Sequence, residues 1–265
     1  MSKFIKFLLS FIESVLITII VILGIIKWTV YSPSYFKNIL ASNNYYEKVS
    51  NDISDATLDY NVSSGLASSI LNDLYTIDDV KEDINYYVDN YYLGNKITIN
   101  SDKITTKLKE NIDNYLLEYD VSITSMEDIN SYILEVGEIY TNKITLYGLL
   151  DGYAKTFKTL GTYINILIGV TFISLIINTL VLKKLKATYG ASTIMASGLM
   201  LLFIRFVIFS EIEVTNLVII SPMFSQVVIE IYTNICNLTV RCAILLIVIG
   251  LLILLMKNNK EEKGV

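Results

Sequence analysis

Four apolar runs, at residues 7–31, 161–182, 191–210 and 236–256, govern what this 265-residue chain can fold into. Each is about the ~20 residues that an α-helix needs to cross a ~30 Å hydrocarbon layer. Lipid offers no partner to bare N–H and C=O groups, so a run of this kind crosses as a helix. With 53% hydrophobic residues and a mean hydropathy of +0.51, the chain is too apolar for an ordinary soluble domain and too mixed for a bare bundle of spans. The expected fold class is an all-α membrane protein, with four transmembrane helices and a helical extracytoplasmic domain between helices 1 and 2. Its expected parts are a cytoplasmic end with the first span (1–31), the inserted domain (32–160), and spans two to four with a cytoplasmic tail (161–265).

Charge placement supplies the orientation. Residues 32–160 hold 20 acidic and 10 basic side chains, a balance of −10, against +5 for the rest of the chain. Lys3 and Lys6 precede the first span. Lys183, Lys184 and Lys186 separate the second from the third, and Lys257, Lys260 and Lys263 follow the fourth. Basic residues concentrate on the cytoplasmic side of membrane proteins, so both termini are expected there, in a cell membrane, with residues 32–160 outside. The first run has the basic start of a signal peptide. It is too long for one and no small-x-small site precedes Ser32-Pro33, so it reads as a permanent anchor with Trp28, Tyr31 and Tyr35 at the outer interface.

Much chemistry is excluded by composition. Histidine is absent, which removes imidazole acid–base catalysis, His-ligated zinc and the Ser-His-Asp arrangement. The two cysteines, Cys236 and Cys242, lie six apart in one apolar run, where a helix aims them in different directions and precludes a bridge. No catalytic set, cofactor motif or metal-ligand spacing stands out, and no enzyme activity, cofactor or nucleic-acid partner is expected. The cluster Asp78, Asp79, Glu82, Asp83 lacks the D-x-D-x-D-G loop of a calcium site and reads as a solvated helix start favoured by the macrodipole.

Within residues 32–160 the apolar period is mostly helical. Ser34 is expected to cap a short helix over 35–41. A second helix carries Tyr46, Val49, Ile53, Ala56 and Tyr60, and a short apolar one is expected over 66–74. Thr76 with Asp79 forms a capping box for a helix that ends at Gly94, with Ile77, Val80, Ile84, Tyr87, Val88 and Tyr91 as its stripe. Ile97-Thr98-Ile99 reads as a short extended piece. Further helices follow through Ile104, Leu108 and Ile112, then from near Ser125 through Ile133, Val136 and Tyr140, the last continuing towards the second span. Fifteen of the 19 tyrosines fall in this insert. An AT-rich codon bias accounts for that as readily as selection for binding surfaces. Tyr86 and Tyr92 sit off the apolar stripe and are the candidate partner surface, or else cover the flank of their helix.

Polar residues in apolar runs are costly and often mark function or packing. Glu13 lies in the inner third of the first span, where a slide of the helix sets it at the inner headgroups near Lys6; the alternative is a partner within the bundle, with Asn178, at similar depth in the second span, as the candidate. Thr171, Ser174 and Asn178 make a polar stripe. Arg205 and Arg241 lie near the outer ends of spans three and four, placed either to snorkel towards Glu211, Glu213 or Glu230 or to bridge an acid between spans. Ser192 and Ala196, with Ala191 and Gly198, offer small-residue contacts for a neighbouring helix. The Ser221-Pro222 pair starts a helix that runs to Met256 without a breaker except Gly250.

The tract Asn44-Tyr45-Tyr46-Glu47-Lys48-Val49, just after a Trp/Tyr-anchored first span, resembles uncharacterised four-span membrane proteins of low-GC Gram-positive bacteria. That resemblance implies the layout and carries no activity. The layout is also similar to that of export and cell-division permeases of the mechanotransmission type, but no coupling-helix motif stands in residues 183–190. Besides the lipid bilayer, the expected partner is another protein, an envelope component or a second copy of the chain. The leading expectation is a non-enzymatic envelope protein acting as scaffold or sensor; the alternative is a transport component, either a permease subunit or an oligomeric channel.

Overall fold

Runs of apolar residues at helical spacing, separated by glycines, prolines and polar turns, give a chain built of helices among the described residues. The computed structural model describes residues 3–119, 126–146, 150–182, 187–209 and 221–262, and among them every regular element is helical. The α-helices are α1 (Lys3–Thr29), α2 (Pro33–Ser42), α3 (Tyr45–Ser64), α4 (Ile77–Leu93), α5 (Asp102–Glu118), α6 (Met126–Ile144), α7 (Ala154–Leu182), α8 (Ala187–Phe203) and α9 (Pro222–Glu262). Four stretches, Phe4–Thr29, Asp151–Val181, Tyr189–Val207 and Pro222–Met256, are long and apolar enough to cross a membrane. The chain is thus a multi-pass membrane protein. It divides into a spanning unit, Met1–Phe36 with Thr159–Val265, and an insert unit, Lys37–Lys158.

In the spanning unit, α8 and α9 pack along their length and α1 lies against both. The close approach of α8 and α9 rests on missing side chains. A Cβ on Gly198 would stand 2.7 Å from the Ala243 carbonyl oxygen, and one on Gly250 would stand 2.9 Å from that of Ala191. Ala191 and Ala243 are fully buried in the same seam. In lipid there is no hydrophobic drive between helices, so dispersion across such close contacts supplies much of the attraction. Most apolar side chains of α7 face outward, as Ile173 and Ile177 do. Helix α9 begins as its sequence predicts: Pro222 occupies the first turn and Ser221 Oγ accepts from the Phe224 amide at 3.2 Å. At 41 residues it is about 60 Å long. A π-helical turn, Ile204–Ile208, ends the third span.

The insert unit has its own core. Ile53 of α3, Val80 of α4, Leu108 of α5 and Tyr140 of α6 are each completely buried, and burial of an aliphatic side chain of this size contributes roughly 1.5–3 kcal/mol. Thr76 and Asp79 form the predicted capping box of α4, and Gly94 closes that helix at φ 71°. There the Asn95 amide returns to the Asn90 carbonyl, the six-to-one bond of a Schellman ending. Gly137 weakens α6 intrinsically but lets α5 approach, since a Cβ there would stand 2.7 Å from the Thr105 methyl.

Several local expectations are corrected. Helix α2 starts at Pro33, with Ser32 rather than Ser34 as its cap: Ser32 Oγ accepts from the Tyr35 amide at 3.2 Å. The stretch 66–74 forms only a 3-10 turn, Ser68–Leu71, because Ser68 and Ser69 interrupt the apolar period. The inner face of α3 runs Tyr46, Val49, Ile53, Thr57, Asn61, while Tyr60 lies partly outside and stacks on Tyr132 at 5.5 Å. Ile97 and Ile99 point inward without any strand partner. Helix α6 stops at Ile144, and Leu146 takes φ 52°, so α6 and α7 are separate helices. Ser125 lies outside the described residues.

Candidate functional site

An open polar surface of the insert unit surrounds the segment 72–75, between the 3-10 turn and α4. Three recesses meet along it, with volumes of about 280, 430 and 340 Å³. The first and second share Leu74 and Tyr75, and the second and third share Asn72 and Asp73. The segment is held from both sides. Asn111 Nδ2 of α5 donates to the Ile70 and Asn72 carbonyls at 2.9 and 3.0 Å, and Tyr75 Oη donates to the Ser50 carbonyl at 3.2 Å. Asp73 adopts φ 53°, a left-handed conformation that Asp and Asn accept more readily than other L-residues.

The 280 Å³ recess is acidic. Asp79, Glu82 and Asp83 line it together with Lys103, which is paired with Asp79. That pairing and the cap hydrogen bonds from Thr76 hold the Asp79 carboxyl down at about 2. Tyr140 Oη donates to Asp83 Oδ2 at 2.6 Å from a fully buried ring, and burial together with the adjacent carboxylate pushes the Tyr140 hydroxyl upward. Among the described residues no group of three His, Cys, Asp or Glu side chains has the geometry to hold a metal ion. The arrangement ties α4, α5 and α6 together. The 430 and 340 Å³ recesses are instead lined chiefly by hydroxyls and amides, Ser50, Asn51 and Ser68 in one, Asn72, Asn114 and Tyr119 in the other.

In the spanning unit polar groups are spent on neighbouring helices. Asn178 Nδ2 donates to the Leu9 carbonyl at 3.0 Å, not to Glu13. The side chain that reaches Glu13 is Thr179, whose Oγ1 lies 2.8 Å from Glu13 Oε1 and 2.8 Å from the Leu175 carbonyl. Thr171 and Asn178 are buried on the inner face of α7, and the Thr171 and Ser174 hydroxyls return to carbonyls four residues back. A more deeply buried polar knot went unnoticed in the sequence. Ser197 Oγ of α8 lies 3.1 Å from the Ser14 carbonyl of α1, and Thr18 Oγ1 lies 3.4 Å from the Ser197 carbonyl. The available signal was two hydroxyl pairs at i, i+4, Ser14/Thr18 and Thr193/Ser197, each defining one helix face.

The remaining candidates are dispersed. Ser192 is exposed and Ala196 half-buried, so the tight seam uses Ala191 and Gly198. Two small-residue faces adjoin on α8, and Ala243 and Gly250 of α9 select the second. Arg205 sits in the π-helical turn with its guanidinium 5.8 Å from the Phe206 ring. Arg241 is exposed on α9. Neither makes an ion pair among the described residues, and Glu211 and Glu213 lie outside them, as do Lys183, Lys184, Lys186 and Lys263. Tyr86 is 54% exposed, whereas Tyr92 packs edge-on against Phe157 at 5.2 Å. The two do not form one surface. Comparison with protein families, characterised proteins and solved structures finds no match to this chain.

Proposed function

We propose that the protein is a non-enzymatic, multi-pass component of the cell envelope whose insert unit faces outward and engages an envelope partner, while its four spans anchor it. One contrast carries this reading. The polar side chains buried on the inner faces of the spans include several that reach a neighbouring helix, as Asn178 does Leu9 and Ser197 does Ser14, whereas the insert keeps open polar recesses around 72–75. A conduction path needs polar groups or broken helices facing a lumen at mid-depth. The lysine distribution supports the outward placement of the insert. Affinity capture of the intact protein in mild detergent tests the role. Envelope-assembly or secretion proteins retained through the insert are expected. Recovery of an ATPase, or of a closed ring of this chain that conducts ions in bilayers, would replace this reading with a transport one.

A further inference from the structure

We infer that the 430 and 340 Å³ recesses on either side of Asn72 and Asp73 form one cleft for a neutral oligosaccharide bearing hydroxyl and acetamido groups. The inference deepens the reading of the insert as the partner-binding part and rests on its outward placement.

The two recesses adjoin at the turn, with Asn72 and Asp73 lining both. Each volume lies within the ~300–1,000 Å³ of ordinary ligand pockets. Their lining matches the chemistry of a sugar better than that of other ligands. Each sugar hydroxyl both donates and accepts, and so do asparagine amides and serine hydroxyls. Asn51, Asn72 and Asn114 project into the recesses, and none of their side chains makes a hydrogen bond among the described residues. Asn111, by contrast, is fully engaged in holding the turn. Sugars also present an apolar C–H face that stacks on aromatic rings. Tyr119, 60% exposed, lines the 340 Å³ recess with its ring 4.8 Å from that of Tyr115. Leu58 and Leu71 give the 430 Å³ recess apolar surface suited to an acetyl methyl.

Charge and hydrophobicity argue against the other classes. The 430 Å³ recess carries one formal charge, Asp73; the 340 Å³ recess sets Lys107 against Asp73 and Glu118. A phosphate or nucleic-acid ligand needs an excess of cations. A protein partner needs a desolvated apolar or aromatic anchor pocket at the centre of its contact, and the centre here is Asn72 and Asp73.

The test uses the full chain in lipid nanodiscs, so that no glycoside detergent competes, titrated with the β-1,4-linked N-acetylglucosamine tetramer by calorimetry. Saturable binding is expected. It should weaken about tenfold or more in Tyr119→Ala and in Asn51→Ala, one substitution in each recess, and stay unchanged in Tyr86→Ala. All three side chains are exposed, and unaltered thermal melts by circular dichroism verify that the variants fold. Failure of the tetramer to bind, or equal affinity in all the variants, overturns the inference. Should the tetramer fail while affinity capture still retains an envelope protein, the glycan cleft falls and the partner-binding role stands. Protease protection of the insert in intact cells would remove both.

Discussion

Tyrosine does two jobs in the insert unit, filling the core with its ring and tying helices with its hydroxyl. Tyr46 donates to Asn85, Tyr87 to Asp151, Tyr132 to Asn61 and Tyr140 to Asp83, over 2.6–3.0 Å. Burial raises Tyr75 and Tyr132 to about 12, and lifts Tyr45, Tyr87 and Tyr140 higher still. The unfolded chain loses these protons near the ordinary value of about 10, before the folded chain does. The stabilisation is therefore complete below pH 10 and is lost as pH rises from 10 through 12. Tyrosinate absorbance should rise in a cooperative step above pH 10 that coincides with loss of helical ellipticity. Ionisation of all the tyrosines near pH 10 with the helices intact would contradict this. Asp79 gives the acid counterpart: held at about 2, it supports the fold above 3.8 and loses that contribution as pH falls towards 2. Its partner Lys103 is solvated, which keeps the acid effect small.

At the scale of elements, the α8–α9 seam depends on two glycines. A side chain at Gly198 meets backbone, the Ala243 carbonyl at 2.7 Å and the Ile247 amide at 3.3 Å, which cannot swing aside as a flexible side chain can. Gly198→Val should separate the helices and lower the melting temperature of the protein in detergent, with a destabilisation of about 1–3 kcal/mol. Leu199→Val, on an exposed position beside it, should leave the melt unchanged, and equal melts for the two variants would refute the seam. Long elements were legible in the sequence because apolar period and caps agreed, as at Thr76 and Gly94 for α4 and Ser221-Pro222 for α9. Short or contextual features were not. Over 66–74 the hydroxyls of Ser68 and Ser69 interrupt an otherwise apolar stretch, and a 3-10 turn forms in place of the helix that its apolar content predicts. Helical period alone cannot choose between Ser192/Ala196 and Ala191/Gly198, since the partner surface on α9 decides. The π-helical turn at Arg205 has no local sequence signal.

The candidate site was less legible than the fold, for a reason that belongs to the whole molecule. Its recesses are assembled from α3, the 68–75 segment and α5, which lie up to about seventy residues apart in sequence, and no periodic signal joins them. Tyr86 and Tyr92 stand off the apolar stripe of α4, whereas Tyr45, Tyr46, Tyr87, Tyr132 and Tyr140 are buried in the core. What sequence does convey at this scale is charge: −10 in residues 32–160 against +5 elsewhere. In the proposed topology both ends of the chain lie on one side and the insert on the other, and the bias of lysines towards the cytoplasmic side supports that choice of sides. The proposed role and the glycan cleft both require the insert to face outward.

Labelling of single cysteines in intact cells tests that placement most directly. With Cys236 and Cys242 replaced by alanine, Asp113→Cys in the insert and Lys260→Cys at the end of α9 are each exposed to a membrane-impermeant maleimide. The cysteine at 113 should react before the cells are opened and the one at 260 only afterwards. Reaction at 260 in intact cells with protection at 113 would contradict the account.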